Sequence, residues 1–160
     1  MNNCNNSSLE QYFPSEINPW DISKIRFIYR RLGFGISNEK GKDLLTNSPK
    51  LLIDGIISYA KNMQLTTAPE WGFWNNNDIN NSGNNQNYYK KLWQKQAFSN
   101  FINDGFRERL TLFWSNHFVT EYNDYKRAQY MYQYHSKLQE YSLGNFKDFV
   151  SVIGLQPAML

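Results

Sequence analysis

Apolar residues recur along most of this chain at intervals of three and four positions, which is the spacing of one face of an α-helix. In the first such segment, Ile22, Ile25 and Ile28 belong to the apolar stripe. Asp21 precedes the stripe as a predicted N-cap, and Gly33 follows it as a predicted left-handed stop. The pattern therefore predicts a helix that begins after Asp21 and ends near Gly33.

Six further segments show helical spacing, and none alternates apolar and polar residues as a half-buried strand does. The predicted helices begin, in chain order, near Ser37, Ser48, Tyr88, Phe106, Asn123 and Asn145. The connections between them are short apart from one long asparagine-rich loop. The pattern predicts an all-α fold, an irregular multi-helix bundle of about six to seven helices.

The two ends of the chain suggest how it is divided. Residues 1–18 are polar and lack periodicity, so we predict a flexible N-terminal tail whose Tyr12 and Phe13 pack against the domain. Residues 19–160 are predicted to form the helical domain. The chain stops at Leu160 on helix-forming residues without a terminating signal, and we therefore expect residues 19–160 to be the N-terminal part of a larger, truncated domain.

Residues 64–87 form the one long break in the helical pattern. The first half is aromatic and rich in turn formers, and residues 75–87 contain eight asparagines. Asparagine tracts bury too little apolar surface to order themselves, which favours a variable surface loop. The alternative is a lid over a pocket that uses Trp71, Phe73 and Trp74.

Composition excludes several classes of protein. Hydrophobic residues make up 41% of the chain and aromatic residues 17%, which favours a folded domain over disorder. The net charge is +3 and the basic residues are dispersed in pairs, so the sequence predicts no nucleic-acid partner. Cys4 is the single cysteine, and neither an intramolecular disulfide nor a cysteine-based zinc site is compatible with it.

The sequence as given contains no targeting or membrane signal. Its first residues lack the basic and apolar regions of a secretory leader. No apolar run approaches the ~18 residues that a membrane span needs. We therefore predict a cytoplasmic protein with no membrane span.

His117 is the residue most suggestive of chemistry. Leu110, Phe113 and Trp114 precede it by seven, four and three positions, so all four share one face of the predicted helix. A histidine there with Glu121 one turn further on could serve as a general base or a metal ligand. It could equally be a core histidine bonded to a backbone carbonyl, and spacing alone favours that interpretation.

Other polar groups receive structural interpretations. If the predicted helices that begin near Phe106 and Asn123 form an antiparallel hairpin, His135 lies roughly 10 Å further along the second helix than the residue that faces His117. This separation is too large for the two histidines to bind one zinc ion. We predict no metal site and identify no cofactor. Arg107, Glu108 and Arg109 are interpreted as a solvated face. The tyrosines of residues 122–141 point all round their helix, which favours packing over a nucleic-acid platform.

Three blocks of sequence resemble a bacterial family catalogued as domain of unknown function 1800. The first is Arg30-Arg-Leu-Gly-Phe-Gly35, and the second runs from Gly105 to Thr120 with the core Trp-x-Asn-His-Phe-Val-Thr. The third is Leu143-Gly-Asn-Phe-Lys-Asp-Phe149 followed by Pro157-Ala-Met-Leu160. Together the blocks cover most of residues 20–160, and the second is the specific one.

The resemblance implies a mostly helical protein that continues beyond Leu160, so the C-terminal part of the same protein is a predicted partner. The family carries histidine where this chain has Ser115, so a site that required that histidine would be impaired here. The resemblance implies no settled activity. Some relatives are exported, which makes a periplasmic location the alternative, and a sulfatase-like or glycan partner is implied by the genes that accompany the family.

Two functional hypotheses follow. The first is a site-bearing envelope or polysaccharide-related protein, such as a hydrolase, in which Asn116 and His117 are the catalytic candidates. The second is a non-catalytic glycan-binding or protein-binding assembly module that uses Trp71, Trp74 and the tyrosines. Whether the chain is an enzyme is left open. The burial of His117 distinguishes a structural residue from one that lines a site.

Overall fold

The computed structural model describes residues 11–160, and every regular element in that range is helical. The α-helices are α1 Ile22–Leu32, α2 Asn38–Asp43, α3 Pro49–Asn62, α4 Asn76–Asn81, α5 Gln86–Asn103, α6 Gly105–His117, α7 Tyr122–Tyr125, α8 Ala128–Tyr141 and α9 Phe146–Gly154. Short 3₁₀ helices occur at Leu44–Thr46 and Glu70–Phe73. The predicted all-α class is confirmed.

The helix starts follow the capping residues that the sequence indicated. The Asp21 carboxylate accepts hydrogen bonds from two backbone N–H groups in the first turn of α1. Ser48 caps α3, whose first residue is Pro49, and Asn145 caps α9. Each cap pairs N–H groups that a helix leaves unsatisfied at its N-terminus, so the boundaries are set by local chemistry.

Two local features raise the number of helices above the prediction. Lys126 has a φ of 52°, a left-handed conformation that divides the predicted sixth helix into α7 and α8. Within the asparagine-rich segment, Asn75 and Asp78 form a reciprocal capping box that begins α4. The short polar side chains that suggested a loop are therefore also what starts this helix.

Helix α8 lies at the centre of the structure and packs against α5, α6 and α9. It contributes to both hydrophobic clusters of the described residues. The first cluster contains Trp71, Ile79, Tyr89, Trp93, Ala128 and Tyr132. The second contains Tyr134, Leu138, Phe149, Ile153 and Ala158. Six of these eleven side chains are aromatic, which explains how short helices still bury enough surface to pack.

The segment before α1 follows the prediction only in part. The rings of Tyr12 and Trp20 lie 6.4 Å apart, and the Tyr12 hydroxyl donates to the carbonyl of Asn18 at 2.9 Å. Phe13 is 71% exposed and does not pack against the domain. Cys4 and the rest of residues 1–10 lie outside the described residues.

None of the helices within residues 11–160 combines the length and the apolar character that crossing a lipid bilayer requires.

Candidate functional site

The two residues singled out from the sequence lie together at the C-terminal end of α6. His117 is the last residue of the helix, Asn116 precedes it, and both side chains are exposed. His117 is thus not an enclosed core histidine.

Aromatic rings surround the pair and converge on Trp114. The Trp114 ring lies 5.0 Å from that of Phe113 and 5.7 Å from those of His117 and Phe146, measured between ring centres. Phe113 and Phe146 are each 57% exposed. We call the group formed by Phe113, Trp114, Asn116, His117 and Phe146 the Trp114 surface. It is an apolar, aromatic surface on which one amide and one imidazole reach solvent.

The other residues proposed around His117 do not complete a catalytic arrangement. Glu121 is exposed and begins α7, and no ion pair among the described residues joins it to His117. The hydroxyl of Ser115 donates to the carbonyl of Leu112 at 2.8 Å. Ser115 is therefore satisfied within its own helix.

The interpretation of Arg107, Glu108 and Arg109 as a solvated face is wrong for two of the three residues. Arg107 is 3% exposed and Glu108 is fully buried, whereas Arg109 is exposed. The Arg107 guanidinium donates to the carbonyls of Met63 and Gln64 at 2.8 and 2.7 Å. Arg107 thereby attaches Met63 and Gln64, the first two residues after α3, to α6.

Glu108 is the centre of a buried polar network between α6 and α8. Its carboxylate accepts a hydrogen bond from the amide of Gln139 and lies 3.4 Å from Nε2 of His135. Gln139 also donates to Thr66 at 2.9 Å, and Thr66 accepts from Asn100 at 2.8 Å. These contacts satisfy one oxygen of the buried carboxyl group, whereas Oε2 has no hydrogen-bond partner among the described residues. The network therefore offsets the cost of burying Glu108 only in part.

His135 belongs to this network and not to the Trp114 surface. Its side chain is 15% exposed, and its ring meets the edge of Trp93 with the ring centres 5.2 Å apart. His135 thus lies between α8 and the neighbouring helices α5 and α6. Within residues 11–160, no group of three or more His, Cys, Asp and Glu side chains is arranged to hold a metal ion.

A signal for the buried network was present in the sequence but was not used. Asp104, Glu108, Thr111 and Ser115 recur at helical spacing and form a polar stripe along α6. A polar stripe ordinarily faces solvent, but Glu108 of this one faces α8, which supplies the amide of Gln139 and the imidazole of His135. Thr111 and Ser115 instead donate to carbonyls of α6 itself.

Of the three aromatic residues of the alternative lid, Trp71 is buried, whereas Phe73 is 71% exposed. Trp71 is 6% exposed, with its ring 5.5 Å from that of Tyr89 and 6.4 Å from that of Tyr132. It is a core residue. The tyrosines of α8 support the packing interpretation as well, because Tyr132 and Tyr134 are both buried.

An apolar cleft of about 1030 Å³ opens on another part of the described structure. One wall comes from α1 and the turn that follows it, the second from α2 and α3, and the third from the junction of α5 and α6. Neither Asn116 nor His117 lines this cleft. Asp104 lies at its α5–α6 end, and desolvation there raises the pKa of its carboxyl, an effect that nearby Arg107 opposes.

Comparison with known proteins identifies the family. Searches of curated proteins and of solved structures return no match to this chain. The model of DUF1800, described as a protein of unknown function, matches residues 27–160. This range contains α6 with the Asn116–His117 pair, the buried network and the apolar cleft. The chain therefore belongs to the DUF1800 family.

Proposed function

We propose that the Trp114 surface is a recognition site for a saccharide and that Asn116 and His117 supply its polar contacts. The observation that carries the proposal is the exposure of this amide and this imidazole beside Trp114 and two half-exposed phenylalanines. Ligand sites are commonly apolar and aromatic, with a few polar groups that fix orientation.

The chemistry of this surface matches the two kinds of surface on a sugar ring. The C–H face of a sugar is apolar and can cover the rings of Phe113, Trp114 or Phe146. Its hydroxyl groups are both donors and acceptors, as are the amide of Asn116 and the neutral imidazole of His117. A saccharide therefore satisfies the aromatic and the polar parts of the surface together.

The proposal is one of recognition, and the catalytic role suggested by the sequence stays a prediction. Catalytic groups act most strongly in a preorganised site from which water is excluded. Asn116 and His117 face open solvent. Association with a sulfatase-like protein likewise stays a prediction, since the described residues contain no feature particular to such a partner.

Titration calorimetry with cellohexaose and chitohexaose tests the proposal. We expect weak binding to at least one of them, in the range of about 0.1–1 mM, since the site is open and small. Asn116→Ala and His117→Ala should each weaken binding by about fivefold or more, which corresponds to the loss of one hydrogen bond of about 1 kcal/mol.

A matched pair of phenylalanine variants provides the control. Phe146→Ala removes a half-exposed ring from the Trp114 surface, and Phe27→Ala removes a ring of similar exposure (52%) from α1. Only Phe146→Ala should weaken binding. If neither oligosaccharide binds, or if both variants have the same effect, the surface is not a saccharide site.

A further inference from the structure

We propose that a small pocket at the N-terminal end of α8 binds a hydroxylated carboxylate of the size of a hexuronate. The pocket has a volume of about 350 Å³, and its lining consists of residues 74–77, Arg127, Gln129 and Tyr130. It shares no residue with the Trp114 surface, and the proposal is independent of the function proposed for that surface.

Arg127 supplies the pocket with a positive charge that forms no ion pair. Its guanidinium donates to the neutral side-chain oxygen of Asn76 and lies 5.5 Å from the centre of the Tyr130 ring. No ion pair within residues 11–160 includes Arg127, and neither aspartate nor glutamate lines the pocket. A carboxylate complements this charge, because a guanidinium group can donate two parallel hydrogen bonds to it.

The first turn of α8 adds to the preference for an anion. This helix has 14 residues, and the side chain of its N-cap residue, Arg127, makes no capping hydrogen bond. The backbone N–H of Ala128 donates to Gln86 at 2.8 Å, whereas those of Gln129 and Tyr130 find no acceptor in the part of the chain that the structure describes. Unpaired N–H groups and the positive end of the helix dipole both favour a negative charge.

Gln129 indicates that the ligand also carries a hydrogen-bond donor. Its side chain is 2% exposed, and Nε2 donates to the backbone carbonyl of Trp74 at 3.1 Å. Its Oε1 is buried as well and accepts no hydrogen bond from any described residue. A buried acceptor without a donor is costly. Because Gln129 lines the pocket, a hydroxyl group of a ligand seated there can supply the missing donor.

The remaining lining and the size of the pocket select a sugar acid. Trp74 and Tyr130 are half-buried and offer aromatic surface to the apolar C–H face of a sugar ring. The volume lies at the lower end of the roughly 300–1,000 Å³ typical of small-molecule sites, which suits a single ring. An α-amino acid also joins a carboxylate to a donor, but its ammonium group would bring a second cation close to Arg127.

NMR chemical-shift titration with D-glucuronate, D-glucose and cyclohexanecarboxylate tests the chemistry of the ligand. All three compounds have a six-membered ring, but D-glucose lacks the charge and cyclohexanecarboxylate lacks the hydroxyl donors. D-Glucuronate should bind more tightly than either by about tenfold or more. If D-glucuronate does not bind, or if one of the other two compounds binds as tightly, the proposal is wrong.

A matched pair of arginine variants tests the location. Arg127→Gln removes the cation from the pocket. Arg31→Gln removes a cation from a similar ring contact on α1, where the guanidinium lies 5.4 Å from the centre of the Phe27 ring. Arg127→Gln should weaken the binding of D-glucuronate by about tenfold or more, and Arg31→Gln should leave it unchanged. Equal affinities of the two variants for D-glucuronate would overturn the location.

A variant of Gln129 tests the role of its buried oxygen. Gln129→Met keeps the length of the side chain and removes Oε1, so it should reduce the preference for D-glucuronate over cyclohexanecarboxylate. An unchanged preference would refute the contact with Oε1. The variant also loses the hydrogen bond to Trp74, and thermal unfolding should show that it is folded. If it is not, the wild-type preference between these two compounds decides whether the ligand needs a donor.

The outcomes separate this pocket from the Trp114 surface. His117→Ala should leave the binding of D-glucuronate unchanged, so failure of one proposal does not imply failure of the other. Loss of D-glucuronate binding in His117→Ala, with binding retained in Arg127→Gln, would assign the sugar acid to the Trp114 surface and overturn the proposal for the pocket.

Discussion

Replacement of Arg107 by methionine tests the structural account of α6 most directly. Methionine has a similar length and retains the apolar stem of the side chain, so the variant removes chiefly the guanidinium group. In the wild-type protein this group donates to the carbonyls of Met63 and Gln64 and to the carboxylate of Asp104. All three acceptors lose their partner in Arg107→Met.

The expected loss follows from these three contacts. A hydrogen bond to a charged group contributes about 1.5–3 kcal/mol, and removal of one partner of a buried ionic group typically costs about 3–5 kcal/mol in total. The contributions are not additive, because one group makes all three bonds. We therefore expect Arg107→Met to lower the free energy of unfolding by about 3–5 kcal/mol, and Tm by about 10 °C.

Urea unfolding followed by circular dichroism provides the measurement, and Arg109 provides the control. Arg109 is exposed, two residues away on the same helix, and its guanidinium lies 5.6 Å from the ring of Phe34. Arg109→Met should cost no more than about 1 kcal/mol. If Arg107→Met costs under 1 kcal/mol, or no more than Arg109→Met, the guanidinium of Arg107 does not hold α6 to the segment after α3.

Two further predictions concern α8. Burial raises the pKa of Tyr134 to about 12, so the folded state prefers the neutral phenol that donates to the carbonyl of Phe118. The free energy of unfolding should fall by about 1–2 kcal/mol between pH 10 and 12, allowing for solvent screening. Tyr134→Phe should remove most of this pH-dependent loss. If the free energy of unfolding of the variant falls between pH 10 and 12 as steeply as that of the wild type, Tyr134 is not the group responsible. Gly72→Ala should destabilise the protein by about 1–3 kcal/mol, because its Cβ would lie 2.7 Å from the Tyr132 ring. Thermal unfolding of both variants provides the measurement, and Gly154→Ala is the control that should have little effect, because a Cβ atom there would meet nothing within 4 Å.

The Trp114 surface and the buried network occupy the same helix but are different in kind. The surface lies at the C-terminal end of α6, where Asn116 and His117 are exposed, and Trp114 connects it to the second hydrophobic cluster. The network lies in the first half of α6, around Arg107 and Glu108, and connects it to α8 and to the segment after α3. Variants of the surface should therefore alter binding, and variants of the network should alter stability.

Local chemistry was sufficient to predict most of the helices. Caps such as Asp21, Ser48 and Asn145 satisfy N–H groups within a few residues of themselves, so their effect can be recognised without tertiary information. The match between residues 27–160 and the DUF1800 family likewise follows from the order of residues alone. The capping box of Asn75 and Asp78 is equally local, and it was missed because the asparagine tract around it also favours disorder.

Which side of each helix is buried was decided by the tertiary structure. Arg107 and Arg109 are the same residue type, two positions apart, and the helical repeat places them on nearly opposite sides of α6. No local property shows that the segment after α3 covers Arg107, nor that His117 extends beyond the packed part of its helix. Burial depends on contacts between residues far apart in the chain, such as Glu108 with Gln139, and a single sequence contains the residues but not their pairing.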